Sequence, residues 1–354
     1  MAGDSLENMR AWFVNEGPDF DIVLSTRCRI SCNLRDYPFA GHLHFTEKKE
    51  VFEAVTNFFA AAEDLKKFNL YFLDDMTNQQ KGILQERRFV SSRIYSTSAC
   101  GCFINPDQDL ALTTCDEDHV KIASFRNGFN VDACYKDCSS LFSRLDETYR
   151  FVRDDQGHLL TSRITDYGTG MKISVLVQLA GLAGTEQLDI VLKEIMQRGI
   201  SVKGFFNNNL EPIGDLYQIS NDVGYSVSSA EIIENFKDTV TSLTEREREV
   251  RSRIINSDRP KVGNRVFRAY GLIRCSQKLE AQEALELLAA LRFGFANELI
   301  MGIPVRLFNA LFILSQNNHI KALYLNDRRI SDENFINGKR ADFIRDMLER
   351  YSTQ

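Results

Sequence analysis

The chain reads as an α+β protein: a sheet flanked by helices over residues 1–256, a short linker at 257–264, and a small α-helical domain over 265–354. Three observations predict this. Short apolar runs of strand length recur through the first 220 residues, bounded by turn-forming residues. Stripes of apolar residues at helical spacing lie between them and need a flat partner to cover. Beyond Gly263 the strand signals thin out and only helical periods remain, so the two kinds of element segregate along the chain.

The elements follow in order. Asp21 to Arg29 is an apolar run ending in Arg27 and Arg29, two residues apart and so on one face of an extended segment. Val51 to Ala61 places Val51, Val55, Phe58 and Phe59 on one helical face. Leu70–Leu73, Leu110–Leu112, Ile173–Val177 and Ser201–Lys203 are strand candidates, and Leu188, Val191, Leu192 and Ile195 stripe a helix that Gly199 closes. Ser228 and Glu231 form a capping box, from which Ile232, Ile233, Phe236, Val240 and Leu243 continue one face of a long helix ending in the charge-dense run Glu245 to Arg253. The polar, Pro- and Gly-containing stretch Ser257 to Gly263 reads as a linker. Ala281–Leu291, Val305–Ser315 and Arg340–Arg350 are helical.

Composition narrows the function classes. A net charge of −6 and a pI near 5.6 argue against a general binder of nucleic acid or anionic membrane, which needs a basic excess. No apolar run reaches membrane-spanning length, and Met1 to Trp12 lacks a signal-peptide pattern, so the expected compartment is the cytoplasm. Eight cysteines occur without the paired Cys-x-x-Cys knuckles of a zinc site, which favours buried thiols in a reducing environment. No metal site is expected; His42 and His44 lack a third ligand and read as a surface loop.

The arginine pair is suited to an anion, because each planar guanidinium meets phosphate or carboxylate oxygens two at a time. With it, in order, come Cys115-Asp116-Glu117-Asp118-His119-Val120-Lys121, Gly168-Thr169-Gly170-Met171-Lys172-Ile173-Ser174-Val175, Lys203-Gly204-Phe205-Phe206-Asn207-Asn208, Gln218-Ile219-Ser220-Asn221 and, further on, Arg265-Val266-Phe267-Arg268-Ala269-Tyr270-Gly271. Together these segments resemble the guanidino (phosphagen) kinase superfamily, most nearly the bacterial protein arginine kinases, over nearly the whole chain. The resemblance implies an antiparallel-sheet catalytic domain followed by a helical interaction and dimerisation domain. It implies ATP with Mg2+ as cofactor, and phosphoryl transfer to a guanidinium nitrogen of an arginine side chain in a protein substrate or client. It also implies a homodimer, an activator of the McsA type and a Clp-type unfoldase as partners, with no nucleic acid or membrane.

By the same resemblance the nucleotide lies along Ser25-Thr26-Arg27-Cys28-Arg29, Lys121, Lys172-Ile173-Ser174-Val175-Leu176, Lys203 and Asn208, and Glu117 holds the guanidinium and serves as base. Lys121, Lys172 and Lys203 stand where the family has arginines, keeping charge but losing the bidentate fork. Asn208 falls on the family's second substrate carboxylate, for which Glu211 is the nearby substitute. Arg163 replaces the cysteine that faces the acceptor. A fixed cation there opposes an incoming guanidinium by about 4 kcal/mol at a separation of roughly 4 Å and an effective dielectric of about 20. Arg163 either turns elsewhere, for instance toward Asp166, or fills the acceptor site itself by pairing with Glu117. Asn337 and Arg340 fall on a phosphoarginine reader whose first Arg-Asp pair is replaced by Ile336-Asn337. The alternative to an active kinase is a catalytically impaired adaptor of the same fold, acting by protein binding.

Overall fold

Strand β1 (Val23–Cys32) is the ten-residue centre of the sheet, and its burial alternates as one covered face and one part-open face require. The computed structural model describes residues 6, 9–205, 212–222, 227–325 and 327–352. In chain order α1 (Phe45–Ala61), β2 (Asn69–Phe72), α2 (Asn78–Glu86), β3 (Gly101–Ile104), β4 (Leu110–Thr114), β5 (Val120–Asn127) and α3 (Val131–Tyr149) follow β1. Then come β6 (Met171–Gln178), α4 (Ala180–Ala183), α5 (Leu188–Gln197), β7 (Ile200–Gly204), β8 (Leu216–Asn221) and the 29-residue α6 (Ser229–Ser257). The described strands form one sheet in the order β2-β3-β4-β5-β1-β6-β8-β7, and every neighbouring pair is antiparallel. This is the α+β, antiparallel architecture expected.

The covered face of β1 carries Thr26, Cys28 and Ile30, and α3 lies across β1 and β5 on that side. Cysteine serves as a small hydrophobe here: Cys134 Sγ reaches Thr26 O and Cys138 Sγ reaches Cys28 O from the buried stripe of α3, which Leu141 and Leu145 continue. All eight cysteines are free thiols and only Cys275 is exposed. The Gly-Thr-Gly segment before β6 has a steric reason. Gly170 sits at φ +67°, and a Cβ there would meet Ser31 O at 2.5 Å, where the chain passes close under β1.

The C-terminal helices are α7 (Arg259–Cys275), α8 (Ala281–Ala296), α9 (Val305–Leu314), α10 (Asn317–Leu323) and α11 (Glu333–Tyr351). Their core is shared with the sheet: Leu285, Leu288, Leu307 and Phe308 bury together with Phe13 and Val14 near the N-terminus, with Leu24, and with Leu216 of β8. The stretch expected as a linker over 257–264 is helical on both sides of Asp258. That residue caps α7 by accepting a hydrogen bond from Lys261 N at 3.1 Å, with Pro260 in the first turn, where a missing N–H costs nothing. No described helix is long and apolar enough to cross a membrane.

Candidate active site

The strand register brings the predicted cations together. Arg27 lies opposite Ser174 and Phe125, Arg29 opposite Lys172 and Ala123, and Ser31 opposite Lys121. Lys203 lies opposite Gln218, which in turn lies opposite Leu176, the partner of Ser25. Residues directly opposite in a sheet point to the same side. One face of β5, β1, β6, β8 and β7 therefore carries Lys121, Ser25, Arg27, Arg29, Lys172, Ser174 and Lys203. Thr26, Cys28, Ile173 and Val175 point to the other face because of the same alternation, so they offer this face only their backbone. Leu176 is turned to the cation face but packs into the core shared with the C-terminal helices.

Most of these cations lack a full complement of partners. The Nε–H groups of Arg27 and Arg29 are buried and find no hydrogen-bond acceptor among the described residues. Arg27 lies 5.2 Å over the Phe125 ring, and burial with the nearby charges of Arg29 and Arg88 pushes its pKa down to about 9. Arg29 donates from Nη2 to Asp166 Oδ2 at 2.5 Å. Lys121 forms a buried ion pair with Asp116, which also accepts from Ser91 Oγ at 2.7 Å, and burial lowers the Lys121 pKa. Lys172 is 3.7 Å from Asp222, and burial lowers its pKa as well. Lys203 is exposed. Burial is the main cause of the depression at Arg27, Lys121 and Lys172, and neighbouring cations on the same face add to it.

Glu117 stands at the tip of the β4–β5 hairpin, which closes through Cys115 N donating to His119 O at 2.9 Å. Its neighbours hold the tip in place. Asp118 accepts from Asn33 Nδ2 at 2.8 Å and from Ser162 N at 2.7 Å, while His119 Nδ1 accepts from Leu34 N at 3.0 Å. The Glu117 side chain is 11% exposed. Its Oε1 accepts from Arg163 Nη2 in a close ion pair, and Arg93 Nε lies 3.5 Å from the same oxygen. Of the two orientations open to Arg163, the structure has the one on Glu117, and Asp166 is taken by Arg29. Asn208 and Glu211 lie outside the described residues.

The sequence reading did not single out Arg88, Arg93 or Asp116. Arg88 is half-buried, holds φ at +69°, lies 4.2 Å over the Phe205 ring and contributes to the positive field at Arg27. Its only sequence signal is the Arg87-Arg88 pair before Phe89. In the C-terminal helices Arg340 is fully buried. Its Nε donates to Ser315 O at 2.9 Å and its Nη1 to Leu279 O at 2.6 Å and Asn337 Oδ1 at 2.5 Å, while Nη2 donates to Asn317. The two expected reader residues thus bond to each other and to helix ends.

A cationic sheet face beside a carboxylate held on a hairpin tip is the arrangement of a phosphotransferase that acts on a cationic acceptor. Residues 50–250 match the profile of the ATP:guanido phosphotransferase C-terminal catalytic domain, and residues 259–354 match that of the protein-arginine kinase McsB C-terminal domain. The chain belongs to the ATP:guanido phosphotransferase family. It is 31% identical over 312 residues to a protein-arginine kinase of Halalkalibacterium halodurans, covering 88% of each chain, and 27% identical over 352 residues to one of Bacillus velezensis, covering 98% of this chain and 94% of that one. Among solved structures it resembles lombricine kinase, with a TM-score of 0.59 and 21% identity over 71% of this chain and 72% of that one. It also resembles the duplicated taurocyamine kinase of Schistosoma mansoni, with a TM-score of 0.57 and 19% identity over 69% of this chain but only 35% of that one. At those identities the structures speak for the fold.

Proposed function

We propose that the protein transfers the γ-phosphoryl group of ATP to arginine side chains of protein substrates. The observation that carries this reading is that the buried Nε–H groups of Arg27 and Arg29, on the face that ends at Glu117, have no acceptor among the described residues. Buried polar atoms are almost always paired, and an adaptor has no use for two that are not. A polyphosphate supplies the missing acceptors, and the arginine-kinase names of the relatives fit the carboxylate beside it. ATP brings the phosphoryl group, and Mg2+, which needs few protein ligands, travels on its phosphates.

In this reading Arg27 and Arg29 hold phosphate oxygens through their forks, and Lys121, Lys172 and Lys203 add point charge. Glu117 orients the acceptor guanidinium and takes the proton that its nitrogen sheds during attack. Residues 265–354 are the part through which clients, a second copy of the chain or an activator are engaged. The test is transfer from ATP to an arginine-containing protein such as casein, read as acid-labile phosphate. Glu117→Gln should lower that rate by at least about a hundredfold, as expected for loss of a general base. Wild-type activity in Glu117→Gln would remove Glu117 from this role.

A further inference from the structure

The acceptor position is already filled by the chain's own guanidinium. Arg163 donates from Nη2 to Oε1 of Glu117, the carboxylate assigned above to the acceptor. The same loop reaches the phosphate clamp: Asp166 N donates to Arg163 O at 3.0 Å, and Asp166 Oδ2 accepts from Arg29 Nη2 at 2.5 Å. Ser162 adds two more ties, from its Oγ to Glu117 O at 2.7 Å and from its N to Asp118 Oδ1 at 2.7 Å. The loop over 162–166 therefore spans from base to clamp with a guanidinium between them. The Arg163 side chain remains 50% exposed on its outer side, so there is room for an added group.

We propose that Arg163 is a phosphorylation site of the protein itself, modified within the same chain by its own active site. The inference rests on the arginine-kinase reading. In the step, a terminal nitrogen of Arg163 forms the N–P bond to the γ-phosphorus of ATP. The bond from that phosphorus to the β,γ-bridging oxygen breaks, and its electron pair leaves on ADP. The proton shed by the nitrogen passes to the Glu117 carboxylate and from there to water. Arg93 also approaches Glu117, but through Nε rather than a terminal nitrogen and at 3.5 Å, so its reactive end is turned away from the base.

The product changes the sign of the contact. With one proton shed, the step turns a side chain of charge +1 into one of net charge about −1, so the attraction between Arg163 and Glu117 becomes net repulsion. The loop is then driven off Glu117, and an external guanidinium can take its place. Self-modification of Arg163 thus clears the acceptor site for protein substrates.

The experiment incubates the full chain with Mg-ATP, alone and with casein, and maps phosphoarginine by mass spectrometry at neutral pH. The expected result is about one phosphate per chain at Arg163, formed with a first-order rate that stays constant over about a hundredfold dilution, and a lag before casein is modified. Arg163→Lys keeps the cation beside Glu117 but offers no guanidinium, and should show no phosphate at this peptide and casein phosphorylation that never rises above its slow starting rate; Glu117→Gln should lower incorporation at Arg163 by about a hundredfold. Casein phosphorylation with Arg163 left unmodified overturns the inference and leaves the kinase reading standing. Phosphate on Arg93 instead, or a rate that rises with protein concentration, also overturns it. Modification of neither Arg163 nor casein removes the kinase reading too.

Discussion

Asp166 is the carboxylate that pairs with Arg29 of the proposed phosphate clamp. It is 1% exposed and bonded to Arg29, so in the free protein a buried carboxylate occupies the guanidinium that a phosphate would otherwise use. Asp166→Asn keeps the shape and removes the competing charge. ATP affinity should rise about tenfold, or about 1.4 kcal/mol, on titration calorimetry. The nucleotide-free protein should melt at a lower temperature, because Arg29 loses its counter-ion in a poorly solvated place. Unchanged affinity would mean that Asp166 and phosphate do not share Arg29. This residue was legible in the sequence only as a possible partner for Arg163. Strand alternation placed Arg27 and Arg29 on one face, whereas Glu117 and Arg163 came from the resemblance of short segments, which left Arg163 open between Asp166 and Glu117. Arg88 could not be read, because its place beside Arg27 depends on a left-handed turn after α2 that no spacing announces.

At the scale of elements, helix α6 separates what periodicity can reveal from what it cannot. Its start was plain from Ser228 and Glu231, whose side chains and backbones exchange hydrogen bonds as a capping box. Its end was not, because the charge-dense run Glu245 to Arg253 resembles a solvated terminus. In the fold Glu247 and Arg251 are buried. Glu247 accepts from Gly181 N at 2.7 Å and Leu182 N at 2.9 Å at the start of α4, and Arg251 Nη2 donates to Gln178 O at 2.7 Å. Arg292 of α8, also buried, joins them by donating to Gln178 Oε1 at 3.0 Å. Charged residues in such a run read as surface unless their partners are known, and these partners lie about 70 residues upstream or in another helix. Glu247→Ala leaves Arg251 buried with no carboxylate and two N–H groups of α4 without an acceptor, and should cost about 3–5 kcal/mol in urea unfolding. A loss below about 1 kcal/mol would show that water reaches this network. α3 was missed for a related reason: its stripe is built from Cys134 and Cys138, residues more often weighed as ligands or disulfides than as core.

For the whole molecule, the question is what fixes the C-terminal helices to the sheet domain. Besides the shared apolar core, α10 docks on α2 through one polar junction. Glu86 accepts from Asn318 N at 2.8 Å and faces His319 Nδ1 at 2.7 Å, while Arg87 Nε donates to His319 Nε2 at 3.1 Å. With Nε2 accepting, the imidazole is the neutral form with its proton on Nδ1 toward Glu86. Burial holds the His319 pKa below its usual value of 6.5, against the pull of Glu86. A depressed histidine pKa means the unfolded chain takes up the proton first as the pH falls. The contribution of this junction is therefore complete above about pH 6.5 and declines below it, by at most about 1.4 kcal/mol per pH unit. His119 shares that direction, also through burial, so the wild-type slope contains both. Unfolding free energy measured from pH 7.5 to 5 should fall more steeply in the wild type than in His319→Gln, whose amide cannot take up a proton. Equal slopes would assign the acid sensitivity to the His119 hairpin instead. A shallower slope in His319→Gln would place the pH-sensitive joint between α2 and α10, where the C-terminal helices meet the sheet domain.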